Sequence, residues 1–107
     1  MNLLSLPAFS DNYIWLLHDG HNGTQALVVD PGDAAPVQAA LHTHGLQLQA
    51  ILVTHHHADH VGGVDALREA TGALVYGPAF ETLPEPVIRV DASTKLQLLG
   101  LNWQVLE

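Results

Sequence analysis

The hydrophobic pattern changes period several times along the chain, and each change marks an element. Leu3 to Leu6 is a short apolar strand that Pro7 is expected to end, since proline has no N–H to give a ladder. Tyr13 to Leu17 and Gln25 to Val29 flank Asp19-Gly20-His21-Asn22-Gly23, residues that tolerate positive φ, and this predicts a β-hairpin. Asp30-Pro31-Gly32-Asp33 then breaks the apolar run. Asp33 is placed to cap a helix from about Ala34 to His44, with Pro36 in its first turn and Gly45 as its stop. Val37, Ala40, Leu41 and His44 share one stripe at helical spacing. Ala50 to Val53 is a continuous apolar run, as expected for a strand covered on both faces.

Val61, Val64 and Leu67 return to helical spacing, predicting a helix over Val61 to Ala70 that Gly72 ends, and Ala73 to Tyr76 reads as another strand. Strands alternating with helices imply crossovers and parallel pairing in part of the sheet. Pro78, Pro84 and Pro86 mark an irregular connection. Beyond it, Val87 to Val90, Leu96 to Leu99 and Leu101 to Val105 are expected as strands with antiparallel pairing. No repeat or linker divides the chain, so residues 1–107 read as a single unit.

Composition narrows the function classes. Among 107 residues, 48% are hydrophobic and 13% charged, enough apolar material for the core of one domain. The net charge of −8 repels phosphate backbones and acidic lipid surfaces, so neither nucleic acid nor membrane is an expected partner. Met1 to Phe9 carries no basic residue and is too short for an export signal or a span, which leaves the cytoplasm as the default location. Cysteine is absent, so disulfides and thiolate metal sites are excluded, and any metal must be held by His, Asp, Glu or backbone groups. Eight histidines then need an explanation.

Four of them sit in Thr54-His55-His56-His57-Ala58-Asp59-His60-Val61-Gly62-Gly63, after the most apolar strand and before a helix. That is the carboxyl end of a strand, where sites in α/β sheets tend to lie. His55 and His57 share one side of an extended backbone and would diverge on a helix, so a loop is the sensible host. The side chains of Asp59 and His60 diverge as neighbours, which makes it difficult for all four groups to meet on one tetrahedral ion. Two ions relieve this, His55 and His57 on one, Asp59 and His60 on the other. Imidazole with carboxylate suits zinc, and also iron or manganese. Two such ions about 3.5–4 Å apart support hydrolysis of a carbonyl or phosphoryl substrate. Gly62 and Gly63 are expected to leave room there for ligands and substrate. A histidine run alone would equally be a surface tract; the full H-x-H-x-D-H spacing is far more specific.

The same stretch resembles the signature of the metallo-β-lactamase superfamily. Phe9 to Leu17, the Val29-Asp30-Pro31-Gly32-Asp33 turn and Val75-Tyr76-Gly77-Pro78 resemble one branch of it, the hydroxyacylglutathione hydrolases or glyoxalase II enzymes. The resemblance implies an α/β (α+β) fold, half of an αββα sandwich, with a mixed sheet and two helices. It implies His55 and His57 as ligands of a first zinc, Asp59 and His60 as ligands of a second, Asp59 standing beside the hydrolytic water, and His56 as a non-ligand. Asp30 matches a buried acid behind the site that would orient a ligand imidazole or the loop backbone; a plain turn former before Pro31 is the other reading. Asn12 and Tyr13 match the start of a family strand. His18, His21, His42 and His44 are placed in a loop and at a helix end, with no assigned role.

The implied reaction is hydrolysis of the glutathione thioester S-D-lactoylglutathione to glutathione and D-lactate. Ligand histidines must be neutral, so metal loading is expected to weaken below about pH 6. Family members are longer, and their next ligands, in a Thr-Pro-Gly-His-like turn and after it, would lie beyond Glu107. This chain is therefore expected to be a truncated form with an incomplete dinuclear site, inactive alone. Two alternatives stand beside it: a non-catalytic fragment that covers an open sheet face by forming a homodimer, and another hydrolase or a persulfide dioxygenase of the same fold.

Overall fold

The computed structural model describes residues 2–8, 12–18, 24–54, 63–78, 86–91, 95–99 and 101–104. A six-stranded sheet contains β1 (Asn2–Ala8), β2 (Asn12–His18), β3 (Gln25–Val29), β4 (Gln47–Leu52), β5 (Leu74–Pro78) and β6 (Ile88–Val90), in that spatial order. A separate hairpin is formed by β7 (Lys95–Leu98) and β8 (Leu101–Gln104). Helix α1 (Ala34–His44) joins β3 to β4, and α2 (Val64–Thr71) precedes β5. The first two pairings are antiparallel and the next three parallel, so the sheet is mixed.

Helix α1 has the predicted limits because both ends are chemically marked. The Asp33 carboxylate accepts a hydrogen bond from the Ala35 N–H at 3.2 Å. Gly45 takes φ 64° at the other end, a conformation that costs a residue with a Cβ about 1–2 kcal/mol. We expect Asp33→Ala to lower stability by about 1 kcal/mol, measured as a shift of the urea midpoint without a change of slope.

Both helices cover one face of the sheet. Val37, Ala40 and Leu41 of α1 and Val64 and Leu67 of α2 pack on Ile14, Leu16, Ala26, Val28, Ile51 and Val75. Each large side chain so buried contributes about 1.5–3 kcal/mol of transfer free energy. His44, predicted on the same stripe, is instead exposed, because it lies at the helix end beyond the sheet-facing turn. On the other face Leu27 and Ala50 are buried beneath Leu17, Val29, Leu52, Tyr76 and Leu99, whereas Leu3, Trp15, Leu74 and Ile88 remain exposed. No described helix is long and apolar enough to cross a membrane.

Several boundaries differ from expectation. β1 continues through Pro7, which pairs in register with Tyr13; an edge strand tolerates proline because one side of its backbone needs no partner. β4 begins at Gln47, three residues before the apolar run. Ala26 pairs with Leu48 and Leu27 with Ala50, so Gln49 is an extra residue in a bulge. The bulge switches faces: Leu48 joins the helix-side core, Ala50 the other cluster. The Gln49 side-chain oxygen accepts from the Leu99 N–H at 3.1 Å, tying the β7–β8 turn to the sheet. Helix α2 begins at Val64, and Val61 and Gly62 lie outside the described residues. β6 pairs parallel to β5, contrary to the antiparallel expectation, while β7 and β8 do pair antiparallel. Nine residues, 79–87, separate the two strands, and at up to about 3.3 Å each they exceed the length of so short a strand. His18 is the last residue of β2 and not part of a loop.

Candidate metal centre

The predicted ligands His55, His57, Asp59 and His60, with His56, lie outside the described residues, and so does His21. What the structure describes is the frame at both ends of that segment. Strand β4 ends at Leu52, and Val53 donates its N–H to the Tyr76 carbonyl at 2.8 Å, so the chain enters the segment from a parallel strand still held to its neighbour.

Asp30 controls the entry. Its N–H donates to the Leu52 carbonyl at 2.8 Å, and its carboxylate faces Thr54. Oδ1 accepts from the Thr54 N–H at 2.7 Å and Oδ2 from the Thr54 hydroxyl at 2.5 Å. A charged acceptor makes such bonds stronger than neutral ones. The residue adopts φ 51°, a left-handed conformation that costs an ordinary residue about 1–2 kcal/mol and that aspartate tolerates better than most. That conformation lets one residue end β3, turn the chain towards α1 and present both oxygens across to β4.

The exit is held by the same turn. Gly63 donates its N–H to the Pro31 carbonyl at 2.8 Å and is buried. A Cβ on Gly63 would lie 2.6 Å from the Ala34 nitrogen, 2.7 Å from the Asp33 carbonyl carbon and 2.7 Å from the Pro31 oxygen. The absent side chain thus admits the backbone of the 31–34 turn, which corrects the expectation that Gly63 leaves space for ligand or substrate. Gly32 closes the turn by donating to the Asp30 carbonyl at 2.9 Å. Residues 30 to 34 therefore grip both ends of the histidine segment.

Sequence reasoning gave no role to Thr54 or to the Pro31 carbonyl. The available signal was the coincidence of a turn rich in Asp, Pro and Gly after one strand with a Thr and a Gly bracketing the next strand's loop. Among the described residues no three His, Asp or Glu side chains gather as a metal-binding group. The donor set of residues 55–60 itself, imidazoles with one carboxylate and no thiolate, fits borderline divalent ions held by nitrogen and oxygen.

Residues 9–89 match the metallo-beta-lactamase superfamily. The chain belongs to that superfamily. A hydroxyacylglutathione hydrolase of Albidiferax ferrireducens is 63% identical over the whole chain, and one of Pseudomonas entomophila is 58% identical over 95% of it. The chain spans 41% and 39% of those two relatives. Among solved structures, ETHE1 from Myxococcus xanthus superposes with a TM-score of 0.78 at 28% identity, over 97% of this chain and 47% of that one. The BLEG-1 B3 metallo-beta-lactamase reaches 0.79 at 22% identity over 96% of this chain and 59% of that one, a likeness of fold alone. The mixed sheet with two helices on one face is thus part of a metallo-beta-lactamase domain.

Proposed function

We propose that this chain forms part of a hydroxyacylglutathione hydrolase, a hydrolase of glutathione thioesters such as S-D-lactoylglutathione. The observation that carries the reading is identity of 63% along the whole chain with a relative of that name, supported by a frame that grips both ends of the H-x-H-x-D-H segment. His55 and His57 would hold one ion, Asp59 and His60 a second, with zinc first and iron or manganese as the other candidates. When bound, such ions lower the pKa of a water and polarise the thioester carbonyl. The chain's own residues do the positioning. Asp30 fixes Thr54 and with it the backbone direction into His55, and Pro31 fixes Gly63 and the direction out. A scaffold that holds ligand backbones before binding lowers the ordering cost at the moment of binding. A cytoplasmic setting fits a cysteine-free, acidic chain.

The test is hydrolysis of lactoylglutathione, followed by loss of thioester absorbance, in the longest natural protein that carries these residues. Turnover is expected there, with His57→Ala lowering kcat/KM at least 100-fold and halving the bound metal. None is expected from the 107 residues alone. Turnover unaffected by His57→Ala would overturn the assignment, and oxygen consumption with a persulfide in place of thioester hydrolysis would move it to the dioxygenase alternative.

A further inference from the structure

We propose that His18 and His44 form a second binding site, for one divalent ion of the copper or nickel type, at the end of the sheet remote from residues 55–60. His18 is the last residue of β2 and His44 the last of α1, and their imidazole centres are 6.1 Å apart with planes inclined by 29°. His18 pairs with Ala26 at the start of β3, whereas Asp30 and Thr54 follow the ends of β3 and β4. Four residues of strand, roughly 13 Å, separate the two places.

The spacing fits a shared ion. A nitrogen about 2.0–2.1 Å from a metal puts its ring centre roughly 3.2 Å away, so two opposed imidazoles span up to about 6.4 Å. The observed separation lies just inside that span; the rings are stacked and would turn edge-on to aim both nitrogens at one ion, with a wide nitrogen–metal–nitrogen angle. Tetragonal copper(II) or nickel(II) accepts such a pair in trans positions, whereas a tetrahedral zinc would draw the rings about 1 Å closer. Rotation about χ2 of histidine is soft and aims the nitrogens at little cost.

Charge and access agree. His44 is exposed and His18 half-buried, so an ion can reach both. The last turn of α1 carries the negative end of the helix dipole, and its basic residues are His42 and His44 alone. An ion there would tie the end of α1 to the end of β2. A stacked pair of rings with no affinity for metal is the competing account.

Copper(II) titration decides between them. In a His55→Ala, His56→Ala, His57→Ala, His60→Ala chain, which lacks all four imidazoles of residues 55–60, we expect one copper(II) per chain, with two-nitrogen coupling in its electron paramagnetic resonance spectrum. His18→Asn and His44→Gln should each weaken it at least tenfold, and His42→Gln should leave it unchanged. Absence of that equivalent, its persistence in His44→Gln, or its loss in His42→Gln would each overturn the site. Should the quadruple substitution unfold the chain, His44→Gln in the otherwise unaltered protein must lower the copper stoichiometry by one, and an unchanged stoichiometry rejects the proposal.

Discussion

Gly63→Ala is expected to destabilise the protein by about 3 kcal/mol, a fall in Tm of roughly 15 °C, although it adds one methyl group and improves helix propensity beside α2. All three atoms the new Cβ would meet within 2.7 Å belong to backbone, and they sit where α1 begins. A flexible side chain could swing aside; a capped helix terminus cannot without disturbing the Asp33 cap or the Pro31 to Gly63 bond. Gly63 has φ −95°, which alanine also adopts, so the effect isolates crowding from backbone strain. Gly72→Ala is the control: nothing lies within 4 Å of its Cβ, but φ is 73°, so strain of about 1–2 kcal/mol acts alone. Differential scanning calorimetry on both variants checks the order, and a Gly63→Ala protein melting within about 3 °C of the parent would refute the close packing of turn and loop exit.

Asp30→Ala should have the largest effect on metal content. It removes the two carboxylate oxygens that accept from Thr54 and weakens the hold on the entry to the histidine segment. Substituting a residue that orients ligands typically costs 10–100-fold in metal affinity, and that is the expected fall, read as ions bound per chain at fixed free zinc. Thr54 is exposed and Asp30 only half-buried, so the accompanying stability loss is held to about 2 kcal/mol. Two further variants separate the acceptor from the turn. Asp30→Gly adopts φ 51° without strain but has no oxygens, and should lose metal as Asp30→Ala does. Asp30→Asn keeps one accepting oxygen and tolerates the same conformation, and should fall between. Parent-like metal content in Asp30→Gly would show that the residue serves only to turn the chain.

What the amino-acid order revealed depended on whether its signal was local. Helix α1 was legible to the residue because Asp33 and Gly45 each mark an end by a local interaction within the adjoining turn. The parallel run from β3 to β5 was legible from the alternation of strand and helix, and with it the place of the histidine segment at the carboxyl end of β4. Partners distant in sequence were not. Gln47 and Gln49 look unlike strand residues because a bulge turns one of them away from the core to meet Leu99. The direction of β6 is set by its pairing with β5, ten or more positions away, which no short pattern encodes. At the site, Asp30 was visible as a candidate, but its hold on Thr54 joins residues 24 positions apart. The crowding at Gly63 arises from a turn some 30 positions upstream, and a glycine looks the same in sequence whether it makes room for substrate or for backbone.

Spatial order in the large sheet equals sequence order from β1 to β6. Each strand leaving the ribosome therefore finds its neighbour already laid down, and no strand has to be inserted between two earlier ones. Chains grow at about 5–20 residues per second, slowly enough for neighbouring strands to pair as they emerge. Asp30 and Pro31 leave the ribosome before their partners Thr54 and Gly63, and all four precede Tyr76, which anchors Val53. The two residues that bracket the histidine segment, Thr54 and Gly63, are thus both tied to a turn that precedes them in synthesis.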